Sequence, residues 1–172
     1  MIDHMTPHPE QDIGMTGWLA FQLYRVALGD GMRDRGFADL RESDLTLLRY
    51  LYGRRATVTE IARLFGVTKQ AASQQIASFV ARGYGTRGRS DDDARVRAVT
   101  LSRRGIAARR AAIEIAGDIE AQLVEHLGPR TVQQWRKVTD ALSDLYLASA
   151  PEMVRVAAAL SSAVDEPSHR TR

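Results

Sequence analysis

Apolar residues recur at three- and four-residue steps along most of this chain, the spacing of amphipathic helices. The first such stretch, from Met15 or Thr16, reads TGWLAFQLYRVALGDGMRDRGF. Its Trp18, Leu19, Phe21, Leu23, Val26 and Leu28 cover more than one stripe. A helix apolar on two sides has two partners, here its own subunit and a second copy. Gly29 and Gly31 weaken its last turns. A second helix over about 42–53 carries Leu45, Leu47, Leu48 and Leu51, and Gly53 ends it. Two shorter helices follow, over 57–65 with Ile61, Leu64 and Phe65, and from Thr68 to about Arg82 with Ala72, Ile76, Phe79 and Val80. The helical period is interrupted after Gly83. There Thr86–Arg89 and Arg95–Leu101 read as short strands, with Ser90 to Ala94 as the turn between them. Helical spacing resumes from Gly105 to about Leu127, stops and restarts at Gly128-Pro129, and runs on over about 130–148. Pro151 opens a last helix, to 164, with Met153, Val154, Ala157, Leu160 and Val164 as its apolar face. The fold class is therefore mainly α, an α+β chain with one small β-hairpin.

The middle of this pattern carries the chemistry. Thr57 and Glu60 have the T-x-x-E spacing of a capping box, Gly66 supplies a left-handed turn, and Thr68 caps the next helix. This is helix-turn-helix punctuation. The exposed face of the second helix holds Thr68, Lys69, Gln70, Ser73, Gln74, Gln75 and Ser78. Glutamine pairs bidentately with adenine in the major groove, and lysine reaches guanine or phosphate. A solvated face on an ordinary helical hairpin accounts for those residues equally well when they are taken alone. The hairpin changes the balance, because it presents Arg87, Arg89, Arg95 and Arg97. Arginines on a β-wing suit a narrow minor groove, where the negative potential is strongest. With Thr57 at the start of the first helix, these are the candidate DNA-binding residues.

At these residues the sequence resembles the MarR family of winged-helix transcription regulators. The resemblance rests on TVTEIARLFGVTKQAASQQIASFVARGY, on the D-x-R of Asp93-Ala94-Arg95, and on the V-x-L-S of Val99 to Ser102 leading into Gly105. It is densest over 57–105 and extends by helix order over roughly 16–148. Two positions depart from the family's pattern. Gln75 stands where an apolar residue is usual, and would extend the polar reading face. Gly85 stands where Val or Ile usually opens the first wing strand, which predicts a looser wing base. Residues 1–14, with Pro7, Pro9 and Gly14 among polar groups, read as a flexible arm, and 165–172 as a disordered tail. Between them the resemblance implies an N-terminal dimerisation helix over 15–40, a winged helix-turn-helix domain over 41–102 and C-terminal dimerisation helices over 103–164, with the 151–164 helix an addition to the family's set. It also implies a homodimer on a pseudo-palindromic double-stranded DNA operator, repression as the default, and an anionic or phenolic effector between the dimer helices and the DNA lobe. Trp18, Tyr24, Arg25 and Tyr50 are the candidates for lining such a ligand cavity. Core packing of the rings and solvation of the arginine account for them more simply.

Charge and composition sharpen this picture. The net charge of +3 is unevenly spread. Residues 54–110 hold 13 Lys/Arg against 4 Asp/Glu, or +9, while the rest holds 11 against 17, or −6. A basic middle within acidic flanks is the footprint of a nucleic-acid face. The chain has no cysteine, which excludes disulfides and thiol switches. It has no apolar run near 18 residues and no basic leader, so a cytoplasmic protein is expected. His4, His8, His126 and His169 lack metal-ligand spacing. Asp91-Asp92-Asp93 read as a wing tip rather than a cation site. No phosphate-binding, dinucleotide or nucleophile-elbow motif is present, so neither an enzyme nor a cofactor is expected. Two alternatives remain: a winged helix serving as a protein-interaction module, and a small-molecule-binding helical protein without DNA specificity. The first should show exposed apolar anchors on its wing, and the sequence offers none.

Overall fold

The computed structural model describes residues 12–89 and 97–162. The chain runs α1 (Ile13–Asp34), α2 (Glu42–Tyr50), β1 (Ala56–Thr57), α3 (Val58–Phe65), α4 (Lys69–Ala81), β2 (Gly85–Arg89), β3 (Arg97–Leu101), α5 (Arg103–Leu127), α6 (Pro129–Tyr146), a 3-10 turn (Leu147–Ser149) and α7 (Glu152–Ser162). This is the expected mainly-α architecture with a small antiparallel sheet.

Each helix start has a local cause. Asp12 accepts the Met15 N–H at 2.7 Å, so α1 begins two residues before the expected Met15 and takes in part of the expected arm. Thr57, Thr68 and Ser102 cap α3, α4 and α5 with their hydroxyls. Pro129 opens α6 directly after Gly128, as the sequence predicts. Gly29 and Gly31 do not end α1, which runs on to Asp34. Gly31 is instead the crossing point with α5, where an added Cβ would lie 2.8 Å from Ile115.

One cluster joins α1 (Leu28, Met32), α2 (Leu47, Leu48), α3 (Ile61, Ala62), α4 (Ile76, Phe79) and α5 (Ala108, Ile115), with Tyr84 and Val99 from the wing base. This cluster positions the helix-turn-helix against the first half of α5. The other half of α5 and α6 form an arm, α6 packing back along α5. β1 was not legible as a strand in the sequence. Its two residues pair with Val99 and Ala98, giving the sheet order β1-β3-β2. The cap of α3 is thereby built into the wing sheet. The last helix, α7, packs against α3 of the same chain.

Candidate nucleic-acid interface

The turn between α3 and α4 is made as its sequence dictates. Gly66 adopts φ +64°, a left-handed conformation that costs other residues free energy. Val67 N–H then bonds to Ala62 O at 3.0 Å. Thr57 and Glu60 form the capping box: the Thr57 N–H and hydroxyl both donate to Glu60 Oε2, at 2.6 and 2.7 Å. Thr57 is half-buried and its hydroxyl proton is committed to Glu60, so its role at the surface is to hold the helix end. The Thr68 oxygen accepts from Ala71 N–H at 3.2 Å, which leaves its O–H free to donate.

Beyond that cap, Lys69, Gln70, Ser73 and Gln74 are exposed. Gln70, Ser73 and Gln74 stand three and four apart on one face. Among the described residues their side chains have no partner. Gln75 departs from the expected polar face. It is half-buried, with its amide nitrogen enclosed and without a hydrogen-bond partner. Ala72, Gln75, Ile76 and Phe79 share the stripe that faces the core, so Gln75 lines the rear of the helix rather than its reading side. Ser78 is likewise half-buried.

The wing pairs Gly85 with Leu101 through Arg89 with Arg97, in antiparallel register. Thr86 and Thr100 share a cross-strand hydroxyl bond of 2.9 Å. Arg87 is exposed beside them. Arg89 and Arg97 end the two strands. Arg95, Asp93 and the turn over 90–94 lie outside the described residues. The looser wing base predicted from Gly85 is not what the structure builds. Gly85 is buried, and a Cβ there would lie 2.9 Å from the Phe79 ring and 3.3 Å from Thr100 O. The volume that Val or Ile would fill is occupied by Phe79, whose ring packs 5.7 Å from that of Tyr84. Gly85→Val should therefore destabilise the fold by about 1–3 kcal/mol through overpacking, despite its better strand propensity. Equilibrium denaturation checks this; a gain in stability would show that the base has room.

The end of α4 is locked to α2, and Tyr84 and α5 to the loop before α2, by charges the sequence does not advertise. Asp44, in the first turn of α2, is fully buried. It accepts from Arg82 Nη1 and Nη2, at 2.6 and 3.1 Å, and from the Arg41 N–H at 2.7 Å. Arg82, the C-cap of α4, also donates to Asp39 O at 2.7 Å. Its hydrogen bond with Asp44 raises its pKa. Nearby, the Tyr84 hydroxyl and Arg104 Nη2 both donate to Asp39 Oδ1, at 2.5 and 2.8 Å. The bond from Tyr84 is the main cause that holds the Asp39 carboxyl below its ordinary 3.8, with Arg104 and Arg82 assisting. Burial, then the bond to Asp39, pushes Tyr84 up. Glu60 is also lowered, chiefly by the Thr57 N–H. Depressed carboxyl pKa values stabilise the fold above the unfolded values and lose that contribution as pH falls through the folded ones. The contribution of each group should be present above its unfolded value, 3.8 for Asp39 and 4.5 for Glu60, and be lost as pH falls through the lower folded value. Denaturation midpoints measured from pH 6 downward check this, with Asp39→Asn expected to flatten the acid limb.

The four ligand-cavity candidates are not brought into one cavity. Trp18 is exposed. Tyr24 and Tyr50 pack against the core cluster. Arg25 is ion-paired with Glu42 and lines a cleft of about 120 Å³ with Gly29, Met32, Phe37 and Leu45. A basic group outside that set is Arg109 on α5. It is half-buried, its Nε has no hydrogen-bond partner, and its guanidinium stands 6.0 Å from the Tyr52 ring. Burial lowers its pKa and the charge of Arg49 lowers it further. The sequence signal was the run Ala107 to Ala112, in which Arg109 follows the buried Ala108.

Residues 32–96 match a family model described as the MarR family. This winged-helix segment is similar to the MarR family over those residues. The likeness continues beyond it in solved structures. The reduced form of MarR from E. coli is similar at 17% identity and a TM-score of 0.64, over 77% of this chain and 96% of that one. YusO from Bacillus subtilis is similar at 20% identity and 0.60, over 77% and 93%. A mutant MarR from E. coli complexed with operator DNA is similar at 17% identity and 0.59, over 76% and 92%. At these identities the likeness establishes the fold. No curated protein matches the chain. Among the described residues no helix is long and apolar enough to cross a membrane.

Proposed function

We propose that this chain is a MarR-family regulator: a sequence-specific, cytoplasmic DNA-binding transcriptional regulator and not an enzyme. The observation that carries the reading is the exposed row of Gln70, Ser73 and Gln74 on α4, flanked by Lys69 and by a wing bearing Arg87. A recognition helix of a helix-turn-helix enters the major groove with its N-terminal residues against base edges. Thr68 and Lys69 would contact phosphate or guanine, and Arg87, Arg89, Arg95 and Arg97 of the wing the adjoining backbone and minor groove. The structural neighbour bound to operator DNA supports the same mode.

The regulator acts as a homodimer. The N-terminal half of α1 leaves Trp18, Phe21 and Leu23 more than half exposed, and α6 leaves Trp135, Leu142 and Tyr146 similarly open. The two rows adjoin, because Gly17 faces the Trp135 ring at 3.9 Å from where a Cβ would sit. A contiguous apolar face of this kind marks an interface. Repression is the mode we assign, tuned by an anionic or phenolic effector. Arg109, beside Arg49 and two tyrosines and with no acid partner among the described residues, supplies the charge such a ligand needs.

Binding-site selection from random duplexes tests the reading. Gln70→Ala or Gln74→Ala should relax the preferred base at defined positions, at about 1–3 kcal/mol for each lost bidentate contact. Identical selected sites in the wild type and both variants would place base recognition elsewhere.

A further inference from the structure

Leu64 is only 2% exposed, yet it stands apart from the cluster that joins α1, α2, α3, α4 and α5. Its neighbours Ile61 and Ala62 belong to that cluster, and Val58 and Phe65 pack against it. Leu64 shares a different face of α3, with Glu60 one turn before it and Arg63 beside it. The C-terminal helix comes to rest on α3: α6 returns along α5, the 3-10 turn redirects the chain, and α7 packs on α3. Arg63 Nε lies 3.9 Å from Glu152 Oε2, which places the start of α7 beside the residue that precedes Leu64. Within α7, Glu152 and Val156, four residues apart, are half-buried, while Val154 and Arg155 are exposed.

We propose that α7 is an intramolecular strap that covers Leu64 and ties the helix-turn-helix to the C-terminal end of α6. The lobe is then held at two places. α1 and α2 pack on the first part of α5, and α3 is held by α7 after the chain has run out along α5 and back along α6. A lobe held only at the first place can pivot about it. One held at both keeps a fixed orientation to the arm. On the homodimer reading, that orientation sets the separation of the two recognition helices. This consequence rests on the proposed function; the strap itself does not.

The absence of native cysteine makes the test direct. Full-length protein carrying Arg63→Cys and Glu152→Cys is treated with a short bismaleimide. The expected product is a chain linked within itself, migrating faster than the untreated monomer. A covalently linked pair of chains, or no linkage, overturns the strap. Val156→Asp is the second variant, read by amide hydrogen exchange. Exchange in the last turn of α3 should accelerate about tenfold, with α2 and the first half of α5 unchanged, as expected for local release. No acceleration in α3, or equal acceleration in α2, counts against it. Neither readout involves DNA, so failure of the DNA-binding reading would leave the result standing.

Discussion

Asp44→Ala should cost the fold about 3–5 kcal/mol, a large part of the stability of a small domain. Asp44 has no exposed surface, and the Arg82 side chain opposite it is 17% exposed. The carboxylate satisfies two guanidinium nitrogens and the Arg41 N–H. Removing it strips the Arg82 guanidinium of its only carboxylate acceptor among the described residues, leaving it the Ser78 and Asp39 carbonyls, and takes the acceptor from the Arg41 N–H. Deletion of one partner is costly for that reason, whatever the net worth of the intact pair. Because Arg82 caps α4 and bonds to Asp39 O, the loss should also loosen the recognition helix against α2. Urea denaturation of Asp44→Ala and Asp44→Asn checks this. A midpoint shift below that expected for about 1 kcal/mol, at unchanged slope, would mean that water reaches Arg82.

What the sequence made legible was local. The T-x-x-E of Thr57 and Glu60, the left-handed Gly66 and the Thr68 cap each act within four residues, so spacing alone revealed them. The exposed Gln70, Ser73 and Gln74 followed from the same periodicity. Gln75 did not: its polarity points to the reading face, but its position falls in the stripe of Ala72, Ile76 and Phe79. Gly31 and Gly85 have the look of weak points in the sequence, yet each marks a close approach, to Ile115 and to Phe79. Such meetings depend on which residues distant in sequence come together, and a single chain does not record that. The same holds for Asp44 with Arg82, 38 positions apart, and for the partner of α7, whose apolar stripe announces a contact without naming α3.

The largest effect should be on DNA affinity. The basic excess of residues 54–110 surrounds α4 and the wing. Each basic group that neutralises a phosphate releases condensed counterions, so affinity falls with the logarithm of salt. For a two-fold dimer making about 6–10 phosphate contacts, affinity should drop about 10³–10⁵-fold between 50 and 200 mM salt. Arg87→Ala should reduce the slope by about one unit in each subunit's contribution, with little change of selected sequence, if that side chain meets phosphate.

The central claim is that α4 and the wing of two copies read a duplex in successive major grooves. Its most direct measurement is a titration of the duplex recovered by selection, followed by fluorescence anisotropy across that salt range and by sedimentation of the complex. The account predicts a pseudo-palindrome with half-sites about 10–10.5 bp apart, two chains per duplex and the steep salt dependence given above. A salt-insensitive affinity, a single chain bound to one half-site at full affinity, or no duplex recovered at all would contradict it.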